Sequence, residues 1–162
     1  MNKPWVWLLG YHLVWLVCLW SWSHQQWVGV YGPSMVCVFF FRNRLSIQTY
    51  MGVGLLAFLT ESFNGYLGIL GPFSGGQAAL LIPLWCLFGI CLRTCQPILP
   101  QSWWVNTLLG SVGGPLTYYG VSLILHTPFE GAYWVYLGIV WGIVFPALIY
   151  VIQKQQGASA HA

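Results

Sequence analysis

The chain has 162 residues, of which 58% are hydrophobic and only 4% are charged, with a formal net charge of +3. A soluble domain carries roughly 25% charged residues, so five basic and two acidic side chains cannot solvate a globule of 18.2 kDa. Five basic residues are also too few for a nucleic-acid-binding face. The composition therefore predicts an integral membrane protein. The 11 tryptophans support this, because such rings collect at membrane interfaces.

Six apolar runs follow one another along the chain, at 4–23, 27–41, 46–67, 78–92, 103–125 and 132–152. About 20 apolar residues cross a bilayer as a helix, so we expect an all-α polytopic bundle of six transmembrane helices. The second and fourth runs are shorter than this, so flanking residues would have to complete their membrane crossing. Residues 1–153 would form the transmembrane domain, and 154–162 a flexible cytoplasmic tail. The first run lacks a small-residue cleavage site and is expected to remain as an anchor.

The basic residues orient this bundle. With a cytoplasmic N-terminus and six crossings, both chain ends and every basic residue fall on the cytoplasmic side, where Lys and Arg are enriched. Both acidic residues, Glu61 and Glu130, fall toward the opposite side. The basic residues are Lys3, Arg42, Arg44, Arg93 and Lys154.

The first and third helices carry ionisable residues, which are functional candidates when they lie inside a membrane. His12 lies roughly 12 Å into the first helix at 1.5 Å per residue, near the bilayer midplane. It is interpreted either as a neutral imidazole bonded to a neighbouring helix or as a functional group. Glu61 lies in a polar stretch that includes Asn64, toward the outer face. Its role is either capping and anchoring, or binding a cation or a polar head-group.

The fifth helix contains GSVGGPLTYYG at residues 110–120, near the midplane. Gly110 and Gly114 form a GxxxG pair that lets a neighbouring backbone approach closely. Pro115 removes a backbone hydrogen bond and bends the helix. One interpretation is tight packing around a kink. The other is a broken helix whose freed backbone groups, with Tyr118 or Tyr119, line a midplane pocket.

The sequence contains little that indicates catalysis or the binding of a cofactor or metal. There is no GxSxG, no phosphate-binding glycine loop, no paired carboxylates and no HExxH spacing, so no catalytic residue, cofactor or metal is expected. The five cysteines include no CxxC pair and are expected to be small buried apolar residues. The outer-side residues His24, His126 and Glu130 could line a vestibule with Glu61, although solvated loop residues are the simpler interpretation.

Several stretches together carry a family resemblance: GGPLTYYG, the preceding Trp85-x-x-Phe88 and the N-terminal LLGYHLVWLVC. The chain resembles a family of bacterial inner-membrane proteins of unknown function, of roughly 160 residues, and the resemblance covers nearly the whole chain. More distantly, it looks like the rod-shape protein MreD and the substrate-binding subunits of vitamin transporters. That likeness is at the level of the fold and transfers no function.

Three functions remain open at this stage. The first is a non-enzymatic membrane subunit or scaffold that acts on another membrane protein through helix packing. The second is a transport component that binds a small apolar molecule or a lipid in a pocket at the kinked fifth helix. The third is an accessory factor in membrane-lipid modification, which the family resemblance implies only loosely. All three place the chain in the lipid bilayer of the bacterial inner membrane.

Overall fold

A computed structural model describes residues 3–67, 81–126 and 128–159, and these residues form six α-helices without strands. In chain order the helices are α1 (Pro4–Ser23), α2 (Trp27–Phe41), α3 (Ile47–Tyr66), α4 (Ile82–Cys95), α5 (Trp103–Leu125) and α6 (Gly131–Ser159). Short 3-10 turns at Arg42–Arg44 and Gln96–Ile98 follow α2 and α4. The predicted all-α class is confirmed over the described residues, and each helix coincides with one predicted apolar run.

The helix ends follow local chemistry, and two of them differ from the prediction. The Ser46 hydroxyl accepts a hydrogen bond from the Thr49 backbone N–H at 3.3 Å, which caps α3. His126 has a φ of 53° and ends α5 in the left-handed conformation. Helix α4 extends three residues past the predicted end at 92, while 78–80 lie outside the described residues. Helix α6 continues beyond the predicted boundary at 153 as far as Ser159.

Helix α4 is the central helix of the described structure. Nine of its 14 residues are buried, and it packs against α1, α2, α3 and α6. An apolar cluster joins Val53 and Ala57 of α3 to Trp85 of α4 and Leu148 of α6. Helices α5 and α6 form the most extensive pair. A side chain that points inward from α4 therefore reaches groups from several other helices.

Contacts at the helix ends bring the start of α1 beside the ends of α2 and α4. The Cys95 thiol donates a hydrogen bond to the Pro4 carbonyl at 3.4 Å, and the Arg44 guanidinium lies 5.7 Å from the centre of the Trp7 ring. The C-terminal part of α6 belongs to the same apolar cluster as the end of α4. The basic residues next to these ends thus share one end of the helices, and they are Lys3, Arg42, Arg44, Arg93 and Lys154.

Apolar side chains cover much of the outer surface. Trp104 is 76% exposed and Phe40 74% exposed, and α1, α3 and α6 each expose several large aliphatic side chains. By length and composition, two described helices could cross a membrane: Pro4–Ser23, with a mean hydropathy of 1.3, and Gly131–Lys154, with 2.3. Helices α2 and α4 are shorter than a bilayer requires, and α3 and α5 carry interior polar and small residues that lower their hydropathy.

Candidate ligand-binding site

The candidate site begins with a polar face on the second half of α3. Glu61 and Asn64 are three residues apart, so they lie on the same side of the helix. That side faces α4, α5 and α6, and the two residues are only 5% and 1% exposed. Buried polar groups of this kind require hydrogen-bond partners, because water does not reach them.

The Glu61 carboxyl accepts hydrogen bonds from three different helices. Its Oε1 atom accepts from the Tyr118 hydroxyl at 2.8 Å and from the Trp85 indole Nε1 at 3.0 Å. Its Oε2 atom accepts a longer bond from Asn64 Nδ2 at 3.4 Å. The carboxyl therefore links α3 to α4 and α5 through side chains that are all neutral.

Asn64 extends this network to α6. Its Nδ2 atom donates to the Tyr118 hydroxyl oxygen at 2.9 Å, and its Oδ1 atom accepts from the Tyr136 hydroxyl at 3.2 Å. The Tyr118 hydroxyl thus accepts from Asn64 while it donates to Glu61. We refer to Glu61, Asn64, Trp85, Tyr118 and Tyr136 as the polar cluster.

Small residues on α5 allow α6 to come close enough for this arrangement. A Cβ added at Gly110 would meet the backbone carbonyl of Trp141, and one at Gly114 would meet the Trp141 side chain. Pro115 lies inside α5 and is fully buried. The adjoining turn of α5 presents Tyr118 to Glu61, whereas Tyr119 is 40% exposed and packs against Phe129 and Trp134.

A cavity of about 90 Å³ lies beside the polar cluster, between α1, α3, α4, α5 and α6. Glu61 contributes its one acidic side chain, and half of its lining residues are aromatic. Thr117 of α5 both lines the cavity and is exposed at the surface. The full lining comprises Tyr11, Trp15, Cys18, Leu19, Trp22, Glu61, Leu81, Leu84, Trp85, Phe88, Thr117, Tyr118, Val121 and Trp141.

A family model for proteins of unknown function, DUF2878, matches residues 4–147. The chain belongs to the DUF2878 family. This confirms the predicted membership in an uncharacterised family, and the match includes every residue of the polar cluster. Neither the curated proteins nor the solved structures contain a match to the chain. The distant likeness to MreD and to vitamin-transporter subunits therefore stays a prediction.

Among the residues singled out from the sequence of this DUF2878 member, the structure brings some together and separates others. Glu61, Asn64 and Tyr118 form one cluster, and Gly110 and Gly114 lie where α5 meets α6. His12 lies apart: it is exposed, and its Nδ1 contacts only the Leu8 carbonyl, at 2.7 Å, among the hydrogen bonds of the described residues. Its neighbour Tyr11 lines the cavity instead.

The outer-side residues remain dispersed. His24 contacts the carbonyl of Trp20 at 2.8 Å within its own helix end, and Glu130 is exposed. The described residues contain no group of three or more His, Cys, Asp or Glu side chains that could hold a metal. All five cysteines are free, and each is buried except Cys37, which is half-buried.

Sequence reasoning missed three contributors to the site: Trp85, Tyr136 and Tyr11. Trp85 belongs to the Trp-x-x-Phe stretch that carries the family resemblance, and the resemblance assigns no role to its indole N–H. The sequence does contain one signal for this role. Trp85 lies inside the fourth apolar run, and a buried tryptophan usually donates its N–H to a hydrogen-bond acceptor. Nothing in the local sequence of Tyr136 or Tyr11 distinguishes them from the tyrosines at the membrane interfaces.

Proposed function

We propose that this protein is a multi-pass protein of the bacterial inner membrane that binds a small molecule, or the head of a lipid, in the cavity beside the polar cluster. One observation carries the proposal: a buried carboxyl, hydrogen-bonded on three helices, borders a cavity that is otherwise lined by aromatic and aliphatic side chains. Ligand sites are typically apolar cavities with a few well-positioned polar groups. The arrangement therefore resembles a preformed binding site more than an ordinary helix contact.

Two further features support the membrane placement and the six crossings. The basic residues share one end of the helices, which is the distribution that orients proteins with both termini in the cytoplasm. The exposed apolar side chains lie on most of the helices, and soluble monomers rarely expose apolar surface so extensively. Helices α2 and α4 would then be the short members of the bundle, with α4 shielded from lipid by its neighbours.

The scaffold alternative loses its main motivation. It relied on Gly110 and Gly114 as a surface for a partner helix, yet α6 of the same chain occupies that surface. The third alternative would use His12 or the outer group of histidines and acids, and of these residues Glu61 is the one that belongs to the polar cluster. Ligand binding is the function that the polar cluster and its cavity favour.

Purification in a mild non-ionic detergent, followed by mass spectrometry of the co-purifying compounds, tests this function. We expect a small molecule to be retained by the wild type and by Tyr119→Phe, and to be lost from Tyr118→Phe. The two variants are matched because each removes one hydroxyl from adjacent positions, and only Tyr118 lines the cavity. Equal retention by both variants, or a stoichiometric partner protein without any small molecule, would contradict the proposal.

A further inference from the structure

As a carboxylate, Glu61 would carry a charge that none of the described groups hydrogen-bonded to it balances. Its three hydrogen-bond donors are a phenol, an indole and an amide, all of them neutral. The basic residues lie at the end of the helices next to the starts of α1 and α3, whereas Glu61 is in the last turns of α3. A carboxylate buried away from water is costly unless a positive charge compensates it.

The two carboxyl oxygens are also used unequally. Among the described residues, Oε1 accepts two bonds of 2.8 and 3.0 Å, whereas Oε2 accepts one contact of 3.4 Å, from Asn64 on its own helix. A carboxylate oxygen can accept at least two hydrogen bonds. Oε2 thus retains capacity for a ligand, on a side chain that lines the cavity.

The remaining cavity wall suits one class of charged ligand. Trp15, Trp22 and Trp85 line it, together with Phe88. Aromatic faces attract substituted ammonium groups electrostatically, and tryptophan does so most strongly. A small inorganic cation would instead require a shell of oxygen ligands, and one carboxyl among aromatic rings does not provide it.

We infer that the cavity binds a substituted ammonium group, with the Glu61 carboxylate as its counter-ion and the surrounding aromatic rings as its cage. This inference rests on the proposed ligand-binding function and specifies its ligand class. A cavity of 150 Å³ holds benzene, so roughly four non-hydrogen atoms fit in one of about 90 Å³. That is the size of a trimethylammonium head. The rest of the ligand would extend past the exposed Thr117.

Choline and its neutral isostere 3,3-dimethylbutan-1-ol distinguish charge from shape. Isothermal titration of the full-length protein, in a maltoside detergent without choline head-groups, should show choline binding at least tenfold more tightly than the isostere. In Glu61→Gln this preference should fall to threefold or less, because the amide keeps the shape and loses the charge. Glu130→Gln is the matched control, since it removes the other, exposed acid, and it should keep the wild-type preference.

The possible results distinguish a failure of the cation inference from a failure of the proposed ligand binding. Equal affinity of the wild type for both compounds would overturn the cation inference and leave ligand binding intact. Binding of neither compound would overturn it too, and the co-purification experiment would then decide the proposed function independently. If Glu61→Gln fails to fold, Trp15→Leu replaces it, because Trp15 lines the cavity outside the polar cluster. That variant should weaken choline binding more than isostere binding, and equal weakening would count against the cage.

Discussion

The contact between α5 and α6 makes Gly114→Ala a demanding test of the described interior. A Cβ at this position would overlap the Trp141 side chain, including its Cβ, which no rotamer change can move away. The Trp141 ring is also stacked on Trp85, with centroids 5.2 Å apart and planes at 23°. The helices must therefore separate to accept the methyl group. Overpacking of this kind costs about 1–3 kcal/mol, and we expect the upper part of that range.

Gly113→Ala is the matched control, one residue away on the same helix. Apart from the adjacent residues and the nearby backbone of α5 itself, no described atom lies within 4 Å of a Cβ at Gly113. Glycine is about 1 kcal/mol less favourable than alanine inside a helix, so this variant should keep the wild-type stability or gain up to about 1 kcal/mol. Because the same gain in helix propensity applies at Gly114, it cancels in the comparison, and the two alanine variants should differ by the overpacking cost of roughly 1–3 kcal/mol in free energy of unfolding.

Reversible unfolding by SDS in mixed micelles, followed by far-ultraviolet circular dichroism, measures this difference. Gly114→Ala should unfold at a clearly lower SDS fraction than the wild type, and Gly113→Ala at the same fraction or a higher one. Coincident transitions of the two variants would mean that the α5–α6 contact is not as close as described. The position of Tyr118 relative to Glu61 would then lose its structural basis.

Two further predictions concern the polar cluster and the topology. Trp85→Phe keeps an aromatic side chain but removes the indole N–H that donates to the buried Glu61, so it should lower the free energy of unfolding by about 1–3 kcal/mol, whereas the exposed Trp104→Phe should change it by less than about 0.5 kcal/mol. Equal changes in the SDS fraction at which the two variants unfold would mean that Trp85 does not donate to Glu61. In a cysteine-free background, Glu130→Cys should react with a membrane-impermeant maleimide on intact cells, and Asn43→Cys only after permeabilisation. The reverse pattern would invert the proposed orientation.

The helices were predictable because their signal is local. Long apolar runs, punctuated by prolines, glycines and short polar connections, suffice to locate six helices in this chain. The ends were less predictable, since they depend on contacts beyond the run. Helix α4, for example, extends to Cys95, whose thiol bonds to the Pro4 carbonyl at the start of the chain. A pairing between residues 91 positions apart leaves no trace in local hydropathy.

The candidate site was only partly predictable, for a related reason. Glu61 and Asn64 were identifiable because polar side chains inside an apolar helix require partners. Tyr118 lies four residues after Gly114, so the spacing puts it on the same face of α5 as the GxxxG pair, whereas Tyr119 points about 100° away. The sequence did not show which of the two tyrosines lines a pocket. It also could not show that the GxxxG pair serves α6 of the same chain. That outcome shifts the preferred function from a scaffold to a binding protein.

The direction of the hydrogen bonds limits how the polar cluster can respond to a ligand. Tyr136 donates to Asn64, Asn64 donates to Tyr118, and Tyr118 donates to Glu61, where Trp85 also donates. All of these donors point along one path that ends at the carboxyl. If Tyr118 turned away, Glu61 would lose a donor and Asn64 would lose an acceptor at once. Because bonds of this kind hold four of the five helices around the cavity, α3, α4, α5 and α6, most of the cavity is expected to exist before a ligand arrives, which spares binding part of the cost of ordering the site.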